Sequence, residues 1–293
     1  MIDYPKLILN YPWLKEKNHK VILSSDVDGL LSGLLVSTFL DWEIVGYYDS
    51  ENLLIKEGER AQDCIFLDVE IFREEIRSLG HHIIVFDKNQ IPEDFNKKTN
   101  QLLNPNLIRK YDKKSNYSQK YPFGTVHLLL KILGIDNISE DVSPLLFTDG
   151  VWNSYLKYNK NVLEWADFLD FNNQEWWRVL KKTSYQDVKK DVDFFITEMN
   201  KITNKKFGHL NLNNFDKNTL LNFLCLCSSS LSWDFKKEKW CVDNLKLIKF
   251  KRYFADFNNQ NDFEVFWKNN PFSMSTYYNN KISYTLEELN KLP

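Results

Sequence analysis

The chain has 293 residues, of which 43% are hydrophobic and 27% charged, with a net charge of −2 at neutral pH. That length holds one large or two medium globular domains. The composition excludes a disordered chain, and the charge excludes a global basic field drawing the protein to nucleic acid.

Residues 20–25 read as a strand that runs into Asp26-Val27-Asp28-Gly29, and residues 30–40 read as an apolar helix. Carboxylates at i and i+2 leaving a buried strand can converge above the sheet edge, and a helix N-terminus beside them favours anionic ligands. Buried charge needs a partner: a metal ion, a lysine, or a phosphorylated group held through a metal. Residues 43–48 and 64–69 read as the second and third strands. Residues 70–79 show helical spacing through Ile71, Phe72 and Ile76, with Gly80 as a stop. Residues 82–86 read as a fourth strand ending at Asp87, which places His81 and His82 at the opposite edge of the sheet from the aspartates. Residues 88–120 read as an irregular connection. In it Lys113, Lys114 and Lys120 interleave with Tyr111, Tyr117 and Tyr121, a composition shared by nucleic-acid surfaces and solvated loops. Residues 124–133 form an amphipathic helix carrying His127, and residues 144–148 lead into Asp149-Gly150. This alternation predicts an α/β fold with a doubly wound, mostly parallel sheet.

Past Trp152 the pattern changes. Residues 160–200 read as helical, with Trp165, Trp176, Trp177, Phe194 and Phe195 as core candidates. From about Lys206 it is mixed, with a hairpin expected over 240–254. The expected organisation is a doubly wound N-terminal domain over 1–160, a helical connection over 161–205, and a smaller, divergent C-terminal domain over 206–293. Cys64, Cys225, Cys227 and Cys241 form no C-x-x-C pair, which argues against a zinc ribbon. With no disulfide framework, no leader-like start and no apolar run of membrane length, a cytoplasmic protein is expected.

Asp68, Asp87 and Asp149 each close an apolar run, as Asp26 and Asp28 do. Ligands of open α/β sheets bind at the carboxyl ends of strands, so five aspartates would face one crevice. Hard oxygen ligands in that number suit Mg²⁺ or Mn²⁺. Two such ions about 3.5–4 Å apart clamp a phosphate and activate water. A single strand-end Asp serves equally well as a helix cap or turn residue; five together call for more than capping.

These residues carry a resemblance. Ser25-Asp26-Val27-Asp28-Gly29-Leu30-Leu31-Ser32-Gly33 resembles the first motif of the DHH phosphoesterase superfamily, which includes RecJ-type exonucleases. Phe66-Leu67-Asp68 is similar to its second motif and Phe147-Thr148-Asp149-Gly150 to its fourth. Asp87-Lys88-Asn89 stands where the family has Asp-His-His after a strand. The resemblance covers residues 20–155 and implies a two-metal Mn²⁺ or Mg²⁺ site that hydrolyses phosphodiesters or phosphoanhydrides, in single-stranded nucleic acid or short nucleotides. It implies Asp26 and Asp68 on one metal, and Asp28, Asp68 and Asp149 on the other. Asp87 would support the third motif. Lys88 and Asn89 would contact phosphate, with His127 a further substrate-binding candidate.

Some positions depart from the family pattern. Ser24 stands where a His or Asp metal ligand is usual, and Lys88 stands where the first His is. Lys88 would neutralise the carboxylates in a metal's place. The glycine-rich motif of the family's second domain is reduced to Gly208-His209. An inactive DHH-fold protein binding nucleotides, nucleic acid or a protein partner therefore stands beside the hydrolase reading. Asp-Val-Asp-Gly also resembles haloacid-dehalogenase-type phosphatases, in which Asp26 would be the nucleophile and Asp28 the general acid. Ser228-Ser229-Ser230 reads as a loop or helix cap.

Overall fold

The computed structural model describes residues 1–136, 139, 141–203, 208–278 and 280–286, with residues 117, 203, 277 and 278 described by backbone alone. The expected boundary at 205/206 lies outside the described residues. The chain is mixed α/β and its contacts gather into two compact units, each built from separated stretches. The helical unit comprises Met1–Asn18, Ser25–Trp42 and Pro122–Trp240; the sheet unit comprises His19–Ser24, Glu43–Tyr121 and Cys241–Pro293.

The sheet unit contains β1 (Lys20–Ser24), β2 (Glu43–Tyr48), β3 (Asn52–Lys56), β4 (Ile65–Leu67), β5 (Glu70–Ile71), β6 (Ser78–Leu79), β7 (Leu102–Leu103), β8 (Leu245–Lys249), β9 (Arg252–Asp256), β10 (Pro271–Tyr278) and β11 (Lys281–Leu286). Its seven-stranded sheet runs β7-β6-β4-β1-β2-β3-β8. It is parallel from β7 through β2, and β3 and β8 add antiparallel strands at the other edge. Val21, Ile22 and Leu23 of the central strand are wholly buried, as a continuous apolar run covered on both faces should be. A second, antiparallel sheet runs β5-β10-β11-β9. One apolar cluster joins Ile22, Val45, Phe66 and Phe272. Another joins Phe72, Ile84, Phe263, Phe266 and Trp267.

The helical unit is built around the Val27–Leu40 helix, whose Leu30, Leu31, Leu34, Leu35 and Val36 are fully buried. A helix apolar on all sides must be enclosed. Here the Thr125–Leu133 and Lys217–Leu231 helices pack on it. Phe123, Phe171, Trp176 and Trp177 form an edge-to-face aromatic cluster, with centroid separations from 5.0 Å for Phe123–Phe171 to 6.0 Å for Phe123–Trp177. Trp165 and Phe195 are buried as expected, whereas Phe194 is 66% exposed, since adjacent residues of the Tyr185–Thr203 helix cannot share one face. Among the described residues no helix is long and apolar enough to cross a membrane.

Several expectations are corrected. Residues 70–79 form no helix. Ile71 and Phe72 go to different apolar clusters, as successive side chains of an extended chain do. The Arg73 guanidinium donates to the carbonyls of Phe72 (2.6 Å) and Pro271 (2.8 Å). Residues 82–86 join no ladder. Ile84, Val85 and Phe86 are buried among side chains, and the carbonyls of Val85 and Phe86 accept from the backbone N–H groups of Lys113 and Lys114. The parallel strand of this region is β6, so His81 and His82 follow a strand and Asp87 does not. Asp149 follows the Ser143–Phe147 helix rather than a strand. Residues 240–254 form no hairpin, because β8 pairs with β3 in one sheet and β9 with β11 in the other. Strands β3 and β7, both missed in the sequence, complete the large sheet.

Candidate functional site

In the helical unit, Asp26 is the N-cap of the Val27–Leu40 helix and accepts from the Gly29 N–H at 3.0 Å. The capping role weighed for a lone strand-end aspartate is therefore real here. Asp28 does something different. It is 2% exposed, and its two oxygens accept from the N–H groups of Thr125 (2.5 Å) and Val126 (3.0 Å). Those are the first N–H donors of the Thr125–Leu133 helix, which lie before its internal ladder begins, so Asp28 occupies a helix-terminal anion site. Asp149 sits in a left-handed turn (φ 51°) that Asp tolerates better than most residues. Ligand oxygens of Asp28 and Asp149 lie within 4.8 Å of each other. A Cβ on Gly124 would stand 2.6 Å from Asp28 Oδ1 and 2.7 Å from Asp149 Oδ2, so the carboxylate pair occupies the space a side chain would need. Asp26, Asp28 and Asp149 line a cavity of about 400 Å³ together with Phe147, Trp152, Val192 and Ile196.

In the sheet unit, Asp68 follows β4, is 6% exposed and adopts φ 61°. Its Oδ1 lies 3.1 Å from Nδ1 of His81. That is a hydrogen-bond length, and it also matches the roughly 3 Å edge between neighbouring ligands of an octahedral ion. A second pair stands beside it. Glu70, 1% exposed, accepts from the His82 N–H (2.7 Å), lies 3.0 Å from His82 Nδ1, and takes Asn104 Nδ2 at 3.3 Å. Burial pushes the Glu70 carboxyl up. The neighbouring charge and ring bond of His82, with His81 and the backbone N–H, outweigh burial and hold it below its ordinary value. The His81 and His82 rings stack at 4.7 Å. Asn106 and Asn104 donate to their carbonyls at 2.6 and 2.8 Å. The sequence reading missed this array because the apolar run at 83–86 outweighed a two-residue strand, although a His-His pair after a strand was the available signal.

The remaining candidates go elsewhere. Asp87 accepts from Lys114 Nζ (2.5 Å) and the Asn89 N–H (2.9 Å), and the Lys114 bond, then that N–H, hold it below the usual carboxylate range. Lys88 is exposed and turns its ammonium to the Lys110 carbonyl (3.4 Å) and Asn116 Oδ1 (3.5 Å), while its N–H donates to Asp112. Asn89 is exposed. His127 is fully buried; Nδ1 accepts from the Gly124 N–H (3.1 Å) and Nε2 lies 3.1 Å from the Leu145 carbonyl. Those bonds make it a brace of the helix start. His127→Leu is expected to lower the urea unfolding free energy by about 2 kcal/mol through the orphaned donor and acceptor, with divalent-ion affinity within a factor of two or so of wild type. Of the Lys/Tyr stretch, Tyr121 is buried, Lys113 donates to the Phe257 carbonyl, and Arg109 covers the Tyr111 ring at 5.2 Å. Gly208 lines the cavity, and His209 pairs through its backbone with Asp26. Ser228–Ser230 lie inside the Lys217–Leu231 helix. The Cys64 thiol is buried and pushed up to about 12 by burial, an inert structural thiol.

Hard carboxylate oxygens suit Mg²⁺ or Mn²⁺, and an imidazole beside a carboxylate favours a transition ion over Mg²⁺. Both donor sets therefore fit a divalent cation. No family model matches the chain, and neither the curated proteins nor the solved structures contain a match.

Proposed function

We propose that the chain is a metal-dependent phosphodiester hydrolase of the DHH type acting on single-stranded nucleic acid or short nucleotides. The observation that carries this is the meeting of Asp28 and Asp149, from the first and fourth motifs, over the Cβ-less face of Gly124. Like charges so close favour a bound cation. The ammonium of Lys88 is engaged in its own loop rather than at Asp68, which weakens the reading in which lysine replaces metal.

The corrected strand assignment also supports the hydrolase. Because β6 ends at Leu79, the position after a strand that Asp-His-His fills in the family is taken here by Gly80-His81-His82. In this reading the metal-ligand histidine is His81 rather than a residue lost at Lys88, and His82 has the phosphate-contacting role. The candidate ligands for divalent ions are Asp26, Asp28 and Asp149 within the helical unit, and Asp68 and His81 within the sheet unit. Such ions, when bound, place positive charge at the phosphoryl oxygens and acidify the attacking water. The mostly parallel sheet would be the doubly wound core of the superfamily, in a cytoplasmic enzyme with reduced thiols. The haloacid-dehalogenase reading is weaker, because both oxygens of Asp28 accept backbone N–H bonds, which suits a fixed carboxylate more than a general acid.

The test is a calorimetric Mn²⁺ titration of wild type, Asp68→Asn and Asp149→Asn, followed by cleavage of a labelled single-stranded oligonucleotide and of a dinucleotide. Wild type is expected to bind Mn²⁺ and cleave, and each variant to lose about tenfold or more in affinity. No Mn²⁺ heat from wild type overturns the hydrolase and leaves the inactive, ligand-binding reading.

A further inference from the structure

A second cavity, of about 340 Å³, is lined wholly by residues of the sheet unit. Its volume stands at the lower end of the roughly 300–1,000 Å³ of small-molecule sites. The lining residues are Gln90, Ile91, Pro92, Glu264, Trp267 and Lys268, which combine apolar surface with one carboxylate and one ammonium. Hydrogen bonds fix them in place. The Gln260 amide donates to the Gln90 carbonyl at 2.8 Å, the Pro92 carbonyl accepts from the Phe95 N–H at 3.0 Å, and the Trp267 indole N–H donates to Asp94 Oδ1 at 2.7 Å.

The polar groups follow helical spacing. Gln260, Glu264 and Lys268 stand at i, i+4 and i+8 of the Gln260–Lys268 helix. They therefore share one face, each about 6 Å along the axis from the next. A glutamate four residues before a lysine is the arrangement in which the two normally pair. Among the described residues no ion pair joins Glu264 to Lys268, and neither is paired with another charge. Glu264 takes the Gln260 amide at a long 3.4 Å. The amide oxygen of Gln260 is buried with no donor among the described residues. A half-buried carboxylate one turn from a buried acceptor calls for a positively charged donor. The Lys268 ammonium, one turn further on, calls for an anion. Ile91, Pro92 and Trp267 suit an apolar body between them. A small molecule that carries a cation, an anion and an apolar body within a few ångströms is an α-amino acid. We infer that this cavity binds a free α-amino acid with an apolar side chain, its ammonium at Glu264 and its carboxylate at Lys268. The inference does not rest on the hydrolase reading.

The experiment titrates L-leucine, L-methionine and L-phenylalanine calorimetrically into the full chain. The tightest of them is then compared with two analogues of the same side chain: the acid that lacks the ammonium and the amine that lacks the carboxylate. At least one amino acid is expected to bind with Kd below about 1 mM, and each analogue at least about tenfold more weakly. Lys268→Met, at an exposed position, should cut the advantage of the amino acid over the amine to about twofold or less. Glu264→Gln should do the same to its advantage over the acid. Mn²⁺ affinity should match wild type in both variants. No heat from any of the three amino acids at about 10 mM overturns the site. Equal binding of the amino acid and its analogues also overturns it, as does an advantage that survives both substitutions.

Discussion

Gly124→Ala is expected to remove the carboxylate pair and to destabilise the helical unit at once. The added methyl would lie 2.6 Å from Asp28 Oδ1, 2.8 Å from Asp28 Cγ and 2.7 Å from Asp149 Oδ2. Real Cβ atoms do not come so close, so the chain must move. Asp28 cannot swing away cheaply: it is buried, sits in the first turn of the Val27–Leu40 helix, and is tied by two backbone N–H bonds to the Thr125–Leu133 helix. Overpacking costs about 1–3 kcal/mol, and losing even one charge-assisted bond adds about 1.5–3 kcal/mol. The expected loss is therefore about 3–5 kcal/mol in urea unfolding, with Mn²⁺ affinity reduced by at least an order of magnitude or so. A variant that unfolds like wild type and binds Mn²⁺ equally well would show that the two carboxylates yield freely, and the site would lose its main support. Asp149 lies in an exposed turn. Asp149→Asn should therefore weaken Mn²⁺ binding while leaving stability within about 0.5 kcal/mol of wild type, which separates the two roles.

What the sequence made legible was local. An apolar run closed by Ser-Asp gave β1 almost to the residue, and a leucine-rich stretch before Asp41 gave residues 30–40 of the Val27–Leu40 helix but not its first turn, in which Asp28 lies. The partner of Asp28 was not legible, because its donors lie 97 and 98 residues away and are backbone groups that leave no mark in side-chain identity. Ile71, Phe72 and Ile76 show why periodicity fails over short runs. The same three positions fit one face of a helix or an extended segment buried on both sides, and here the second sheet decided for the latter. That error had a functional consequence. Expecting the strand at 82–86 rather than at Ser78–Leu79 put His81 and His82 at the wrong sheet edge, when they directly follow β6. Asp87 looked like a strand-end carboxylate because Ile83, Ile84, Val85 and Phe86 are buried. Burial by side-chain packing without ladder pairing leaves the same apolar signature.

Glu70→Leu is the second substitution expected to be severe, although no motif marks the position. The carboxylate is the shared acceptor for the His82 N–H, the His82 ring and the Asn104 amide. Removing it leaves these donors facing an apolar side chain, and breaking a buried charged pair from one side costs about 3–5 kcal/mol. Against a typical domain stability of about 5–15 kcal/mol, that brings the variant close to unfolding at ambient temperature. Glu70→Gln keeps an acceptor oxygen and should lose only about 1–2 kcal/mol. The pH dependence separates charge from shape. The folded-state Glu70 carboxyl is held below its ordinary value of 4.5, so its charge contributes stability that is fully present above that value. The contribution is lost as the pH falls through the lower, folded-state value. Urea midpoints from about pH 7 down to about pH 3 should show wild type losing its advantage over Glu70→Gln only at the acid end. A constant difference across the range would mean that Glu70 acts by shape alone. In that case the charge on the carboxylate would contribute nothing to the stability of the His82 pair.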